Sequence, residues 1–129
     1  MPLFTELKIS RNLEKALEDL GFENTTPIQE KAFPIVMSGS DVVGIAQTGT
    51  GKTFAYLLPI LNTLKFSKDV HPKIIVLVPT RELVVQVVEE VEKLAKYSGT
   101  RVLGVFGGKS MLKQKEALAL GTDILVAIT

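Results

Sequence analysis

Cysteine is absent from the 129 residues. That excludes a disulfide framework and any thiolate metal site, and it suits a cytoplasmic protein, which is the expected location. One histidine, His71, stands beside Pro72; no second exists to complete a His-based metal site, and it reads as a loop residue. Hydrophobic residues reach 46% and the mean hydropathy is +0.27, yet no uninterrupted apolar run is long enough to span a bilayer. The start, "MPLFTELKIS", has an acid at Glu6 and no basic-then-apolar region, so no secretion signal is predicted. A net charge of +1 removes the chain from the strongly basic nucleic-acid binders.

The charge that is present is uneven. Residues 1–30 carry six acids against three bases, whereas 93–115 holds Lys93, Lys96, Arg101, Lys109, Lys113 and Lys115 with no acid. Either this is a solvated surface with a chance bias, or it is a face that meets phosphates.

Hydrophobic periodicity divides the chain into alternating elements. Ser10 is placed to cap a helix with Leu13, Ala16, Leu17 and Leu20 on one stripe, stopped at Gly21. A second helix starts at "TPIQ" and fades near Gly39, with Pro34 expected to kink it. "DVVGIA" reads as a strand and "GKTFAYLLPILNTLK" as a helix bent at Pro59. "KIIVLV" is predicted to be a buried strand, 80–98 a helix, "RVLGVF" a strand, 110–120 a helix capped by Ser110, and "DILVAI" the last strand. Near-continuous apolar strands alternating with helices predict an α/β domain, a three-layer parallel sheet covered on both faces. The organisation expected is a helical region over 1–40 and a nucleotide-binding part over 41–129, together one structural unit.

"GIAQTGTGKT", residues 44–53, has the strand, glycine-rich turn, Lys-Thr and helix that a phosphate-binding loop requires. Gly49 and Gly51 permit close backbone approach, so that successive N–H groups can surround phosphate oxygens at the start of a helix. Lys52 is placed to reach the β- and γ-phosphates, and the Thr53 hydroxyl to ligate Mg²⁺. Ala46 occupies the position where the strict G-x-x-x-x-G-K-[ST] pattern has its first glycine. Upstream, "TTPIQ" has two readings. Thr26 and Gln29 form a capping box around Pro27, or the Gln29 amide pairs with adenine N6–H and N7.

"GFENTTPIQ", "AQTGTGKT" and "PTREL", in this order and at these distances, resemble the Q motif, motif I and motif Ia of the DEAD-box RNA helicases. Phe4 lies where that family has an isolated aromatic, Gly107–Gly108 resembles its GG motif, and "DILVAIT" resembles the strand leading into motif Ib. Ala46 is also the usual form of the loop in that family. The resemblance implies a RecA-like P-loop NTPase domain, here without its later strands. It implies that Phe4 stacks on adenine, that Phe22 shapes the pocket and that Gln29 reads the base. Ala46, Gln47, Thr48, Gly49, Thr50, Gly51, Lys52 and Thr53 would wrap the triphosphate, Lys52 and Thr53 having the catalytic roles and Thr53 the Mg²⁺ contact.

On the RNA side, the resemblance implies that Pro79, Thr80, Arg81, Gly107 and Gly108 grip the backbone without reading sequence. The pattern alone, without the resemblance, favours an Arg81 ion-paired with Glu82 or another acid. Thr25 replaces a frequent proline, and Ile128 interrupts the A-T-P-G pattern. The D-E-A-D, S-A-T and second-domain arginine motifs would lie beyond Thr129. The chain is therefore expected to bind ATP and Mg²⁺ without hydrolysis or unwinding, to expose "DVVGIA" as an unpaired edge, and to associate with the rest of the helicase core, self-associate or be poorly ordered. Another P-loop NTPase, such as a DNA translocase, and a non-catalytic nucleotide-binding module are the competing readings.

Overall fold

The computed structural model describes residues 7–46, 52–64, 69–107 and 111–129. Two compact units are present: one comprises 1–64 with 94–98, the other 65–93 with 99–129.

The first unit is helical. Helix α1 (Arg11–Asp19) begins where the Ser10 hydroxyl accepts the Leu13 N–H, and it buries Leu13, Ala16 and Leu17. It ends in a Schellman motif: the Phe22 N–H donates to Leu17 C=O and the Gly21 N–H to Glu18 C=O, each at 3.0 Å. Gly21 takes φ +80°, a value that costs glycine least. The predicted stop is thus met, and it delivers Phe22 onto the next elements. Helix α2 (Pro27–Met37) and helix α3 (Lys52–Thr63) pack together, burying Ala32 and Phe33 from one and Ala55, Leu57, Leu58 and Leu61 from the other. Pro34 and Pro59 lie within these helices; each removes one N–H from the ladder. Asn62 closes the unit, accepting the Ser10 N–H at 2.8 Å and donating to Lys8 C=O at 3.1 Å. Lys96 and Tyr97 both bond Asp19 within the same unit.

Segment 41–46 does not become the expected strand. It belongs to no ladder among the described residues, and Val43 and Ile45 are 89% and 91% exposed. An apolar extended run becomes a strand only when a neighbour supplies backbone partners.

The second unit is a parallel sheet with helices. Strands β1 (Ile74–Val78), β2 (Val102–Val105) and β3 (Ile124–Ile128) form the order β1-β3-β2, so the last strand lies in the middle. Helix α4 (Arg81–Leu94) joins β1 to β2, and helix α5 (Met111–Leu120) joins β2 to β3. Because these two crossovers step in opposite directions, right-handed connections put α4 and α5 on opposite faces. This is the three-layer α/β arrangement read from the sequence.

Register explains how α4 seats. Val76, Val126 and Gly104 share one row, and residues of a row point to the same face. A Cβ on Gly104 would meet Val84 Cγ1 at 2.8 Å and Val88 Cγ2 at 3.0 Å, so this row is the one beneath α4. Val84, Val87, Val91 and Leu94 are at most 2% exposed, as are Ile124 and Val126. The opposite face departs from the expectation of a buried β1: Ile75 and Leu77 are 63% and 60% exposed. Helix α5 buries none of its residues, and that side of the sheet is thinly covered.

Candidate nucleotide and nucleic-acid sites

The candidate nucleotide residues lie in the helical unit. Lys52 is the first residue of α3 and exposed; Thr53, next to it, is half-buried, as is Ala46 at the end of the extended segment. Gln47, Thr48, Gly49, Thr50 and Gly51 lie outside the described residues, as do Phe4 and Gly108. A cavity of about 310 Å³ opens between α2 and α3, lined by Ile28, Ala32, Val36, Val42 and Ala55 among others, with Lys52 the one charged residue among the described residues that line it.

Gln29 is 4% exposed and closes the capping box. Its Oε1 accepts the Thr26 N–H at 2.9 Å, while Thr26 Oγ1 accepts the Gln29 N–H at 3.4 Å. The capping reading is therefore realised in the structure. Phe22, 45% exposed, meets the Phe54 ring edge-on at 5.1 Å and 71°. Phe54 follows Lys52 and Thr53 directly, so the Schellman turn of α1 ties the "GFENTTPIQ" stretch to the first turn of α3. Sequence reasoning did not single out Phe54.

The second group lies at the carboxyl end of the sheet, where ligands of open parallel sheets gather. Pro79 and Thr80, both exposed, join β1 to α4, and the Thr80 hydroxyl caps α4 by accepting the Leu83 N–H at 3.2 Å. Arg81 is exposed, and its guanidinium carbon lies over the Phe106 ring, 5.8 Å from the centroid. Among the described residues no carboxylate forms an ion pair with it, so the alternative pairing with Glu82 is not what is seen. Gly107, exposed, follows Phe106 at the end of β2. The structure thus brings Arg81 to the residue next to Gly107, across the ends of the two outer strands. His71 is an exposed loop residue whose N–H donates to Asp69 Oδ1 at 3.1 Å.

Residues 26–129 match the family model of the DEAD/DEAH box helicase. The chain belongs to that family. Similar relatives include the DEAD-box ATP-dependent RNA helicase RhpA of Helicobacter pylori, 41% identical over 126 residues, covering 98% of this chain and 25% of that protein. The ATP-dependent RNA helicase DeaD of Haemophilus influenzae is 42% identical over 124 residues, covering 95% and 20%. Among solved structures, a DEAD box protein from the hyperthermophile Methanococcus jannaschii superposes with a TM-score of 0.89 at 33% identity, over 98% of this chain and 34% of the other. The RNA helicase Prp28 from Chaetomium thermophilum, bound to ADP, gives 0.87 at 38% identity over 99% and 32%. This DEAD/DEAH box chain therefore spans about a quarter of the length of the curated relatives it matches. Its fold is the RecA-like one of those neighbours.

At the opposite edge of this helicase sheet, Asp123 and Arg101 hold the strand starts together. Asp123 Oδ2 accepts the Arg101 backbone N–H at 2.9 Å and the Nε–H at 3.2 Å, and Oδ1 accepts Nη2–H at 3.0 Å. Burial pushes the Asp123 carboxyl up, but the Arg101 hydrogen bonds and charge outweigh it and hold the group below the ordinary 3.8. That cluster is structural and lies away from the strand ends that carry Arg81 and Gly107.

Proposed function

We propose that this chain is the ATP-binding portion of an RNA-dependent ATPase that remodels RNA duplexes or RNA–protein complexes in the cytoplasm. The observation that carries the reading is local: Lys52 and Thr53 open α3 directly after the glycine-rich sequence 44–51, in a DEAD/DEAH box helicase chain. There the backbone N–H groups of Ala46 through Thr53 enclose the triphosphate, and Lys52 neutralises the charge that develops on it. Phe4 stacks on adenine, Phe22 shapes the pocket, and Gln29 selects the base with an amide whose orientation its capping bond already sets.

The donor set at Thr53 fits Mg²⁺. This ion commonly takes one or two protein oxygens, with phosphates and water completing its shell. When bound, Mg²⁺ supplies charge neutralisation between the phosphates. Pro79, Thr80, Arg81, Gly107 and Gly108 hold the RNA backbone. None of the three described strands carries a carboxylate at its carboxyl end, so the 129-residue chain by itself is read as binding without turnover and as pairing with the rest of its core or with itself.

Titration calorimetry with ATP and GTP, on the intact protein and on Gln29→Ala, tests the reading, together with turnover in the presence and absence of RNA. ATP selectivity that Gln29→Ala abolishes, with RNA-stimulated hydrolysis lost in Lys52→Ala, is the expected result. Equal ATP and GTP affinity in the unmutated protein would leave Gln29 a cap alone and remove the adenine assignment.

A further inference from the structure

Arg81 has the longest reach of the residues at the carboxyl end of the sheet, and a long side chain must be held to be useful. Ordering a rotamer-rich side chain on binding costs conformational entropy worth roughly two- to tenfold in affinity. Two contacts supply that ordering beforehand. The Phe106 ring lies beneath the Arg81 guanidinium, with the arginine carbon 5.8 Å from its centroid. The backbone of Phe106, one residue past the end of β2, is pinned by α5: Gln114 Oε1 accepts its N–H at 3.0 Å. A guanidinium within about 6 Å of a ring is attracted to the ring face, and this contact consumes none of the N–H donors that phosphate would accept from. Gly104 belongs to the same device, because its missing side chain lets α4, and Arg81 at its start, sit close to β2.

We propose that Phe106 is a positioning residue for RNA-backbone binding, its ring holding Arg81 in a phosphate-ready pose while Gln114 fixes the ring's own backbone. This rests on the RNA reading of Arg81 given above. The substrate class is single-stranded RNA contacted through phosphate, with no base preference at this point.

The test uses the intact protein and a labelled oligouridylate, with anisotropy measured over a series of salt concentrations. Arg81→Ala is expected to weaken binding and to flatten the salt slope by about 0.7, the value for one contact to a single strand. Phe106→Leu is expected to weaken binding roughly two- to tenfold with the slope unchanged, because the charge remains and only its ordering is lost. Phe106→Tyr, which keeps the ring, is expected to bind like the unmutated protein. In an Arg81→Ala background, Phe106→Leu is expected to cost nothing further.

An equal loss in that background would overturn the positioning role, since the ring would then act without Arg81. An unchanged affinity in Phe106→Leu would do the same. An Arg81→Ala protein with unchanged affinity and slope would instead remove the RNA reading of Arg81, and this assignment with it. Gln114→Ala, in a helix that buries none of its residues, gives a second route if Phe106→Leu does not fold. It is expected to show the same dependence on Arg81, and an additive loss would again count against the role.

Discussion

Replacing Gly104 by alanine tests the contact on which the second unit is assembled. A glycine in a strand interior ordinarily destabilises by about 0.5–1 kcal/mol relative to alanine, so an unobstructed Gly104→Ala would be a gain. Here the added methyl would meet Val84 Cγ1 at 2.8 Å and Val88 Cγ2 at 3.0 Å, against an optimum of about 3.5–4.0 Å between carbons. Val84 is 1% exposed. Its β-branched side chain also has one strongly preferred rotamer in a helix. Either Val84 leaves that rotamer or α4 lifts from the sheet, and overpacking of this kind costs about 1–3 kcal/mol.

The balance is a net loss of about 0.5–2 kcal/mol, opposite in sign to the propensity term. Amide hydrogen exchange of Val102–Val105 in the intact protein reads it directly. Each 1.4 kcal/mol is a factor of ten, so exchange should accelerate roughly two- to thirty-fold. Adding Val84→Ala, which removes the nearer of the two obstructing side chains, should make the double change cost less than the sum of the two. Slower exchange in Gly104→Ala would show that α4 does not sit where the geometry places it.

Gln29→Glu separates the two duties of that residue: it keeps an acceptor for the Thr26 N–H but loses the amide donors. Calorimetry should find ATP selectivity gone in both Gln29→Glu and Gln29→Ala; selectivity kept in Gln29→Glu would mean the amide donors do not read adenine. Thr26→Ala should cost about 1 kcal/mol in chemical denaturation, the usual value of an N-cap, and a neutral result would make the box incidental. Asp123→Asn should cost about 1 kcal/mol, at the low end for bonds to a charged group because the Arg101 side chain is 33% exposed. Because the folded carboxyl lies below the ordinary 3.8, its contribution is present above that pH and is lost as pH falls through the lower folded value. The stability difference between the two proteins should therefore shrink on acidification below about 3.8, and a constant difference would argue against the pair.

Much of the local structure was legible because its causes are short-range. Ser10 and Thr26 cap the helices they precede, Gly21 ends α1, and the capping box joins residues three apart. The Gln29 ambiguity resolved toward the cap at the level of geometry without deciding the ligand. Reading "DVVGIA" as a strand failed in its described form because a strand is a relation between two chains of backbone, and 41–46 has no partner in the ladder. Phe54, Phe106 and Gln114 escaped notice because each matters through a residue distant in sequence.

By itself the sequence determined the caps of α1 and α2, which runs are apolar enough for a parallel sheet, and that Lys52 and Thr53 follow a glycine-rich stretch. Those features follow from neighbours within about a turn of helix or a few residues of strand. Only the tertiary structure decided that the last strand enters between the first two, that Gly104 is the seat of α4, and that Arg81 comes to rest over Phe106. Such contacts join residues across closed loops of twenty or more positions, and they depend on register and crossover hand as much as on the residues themselves.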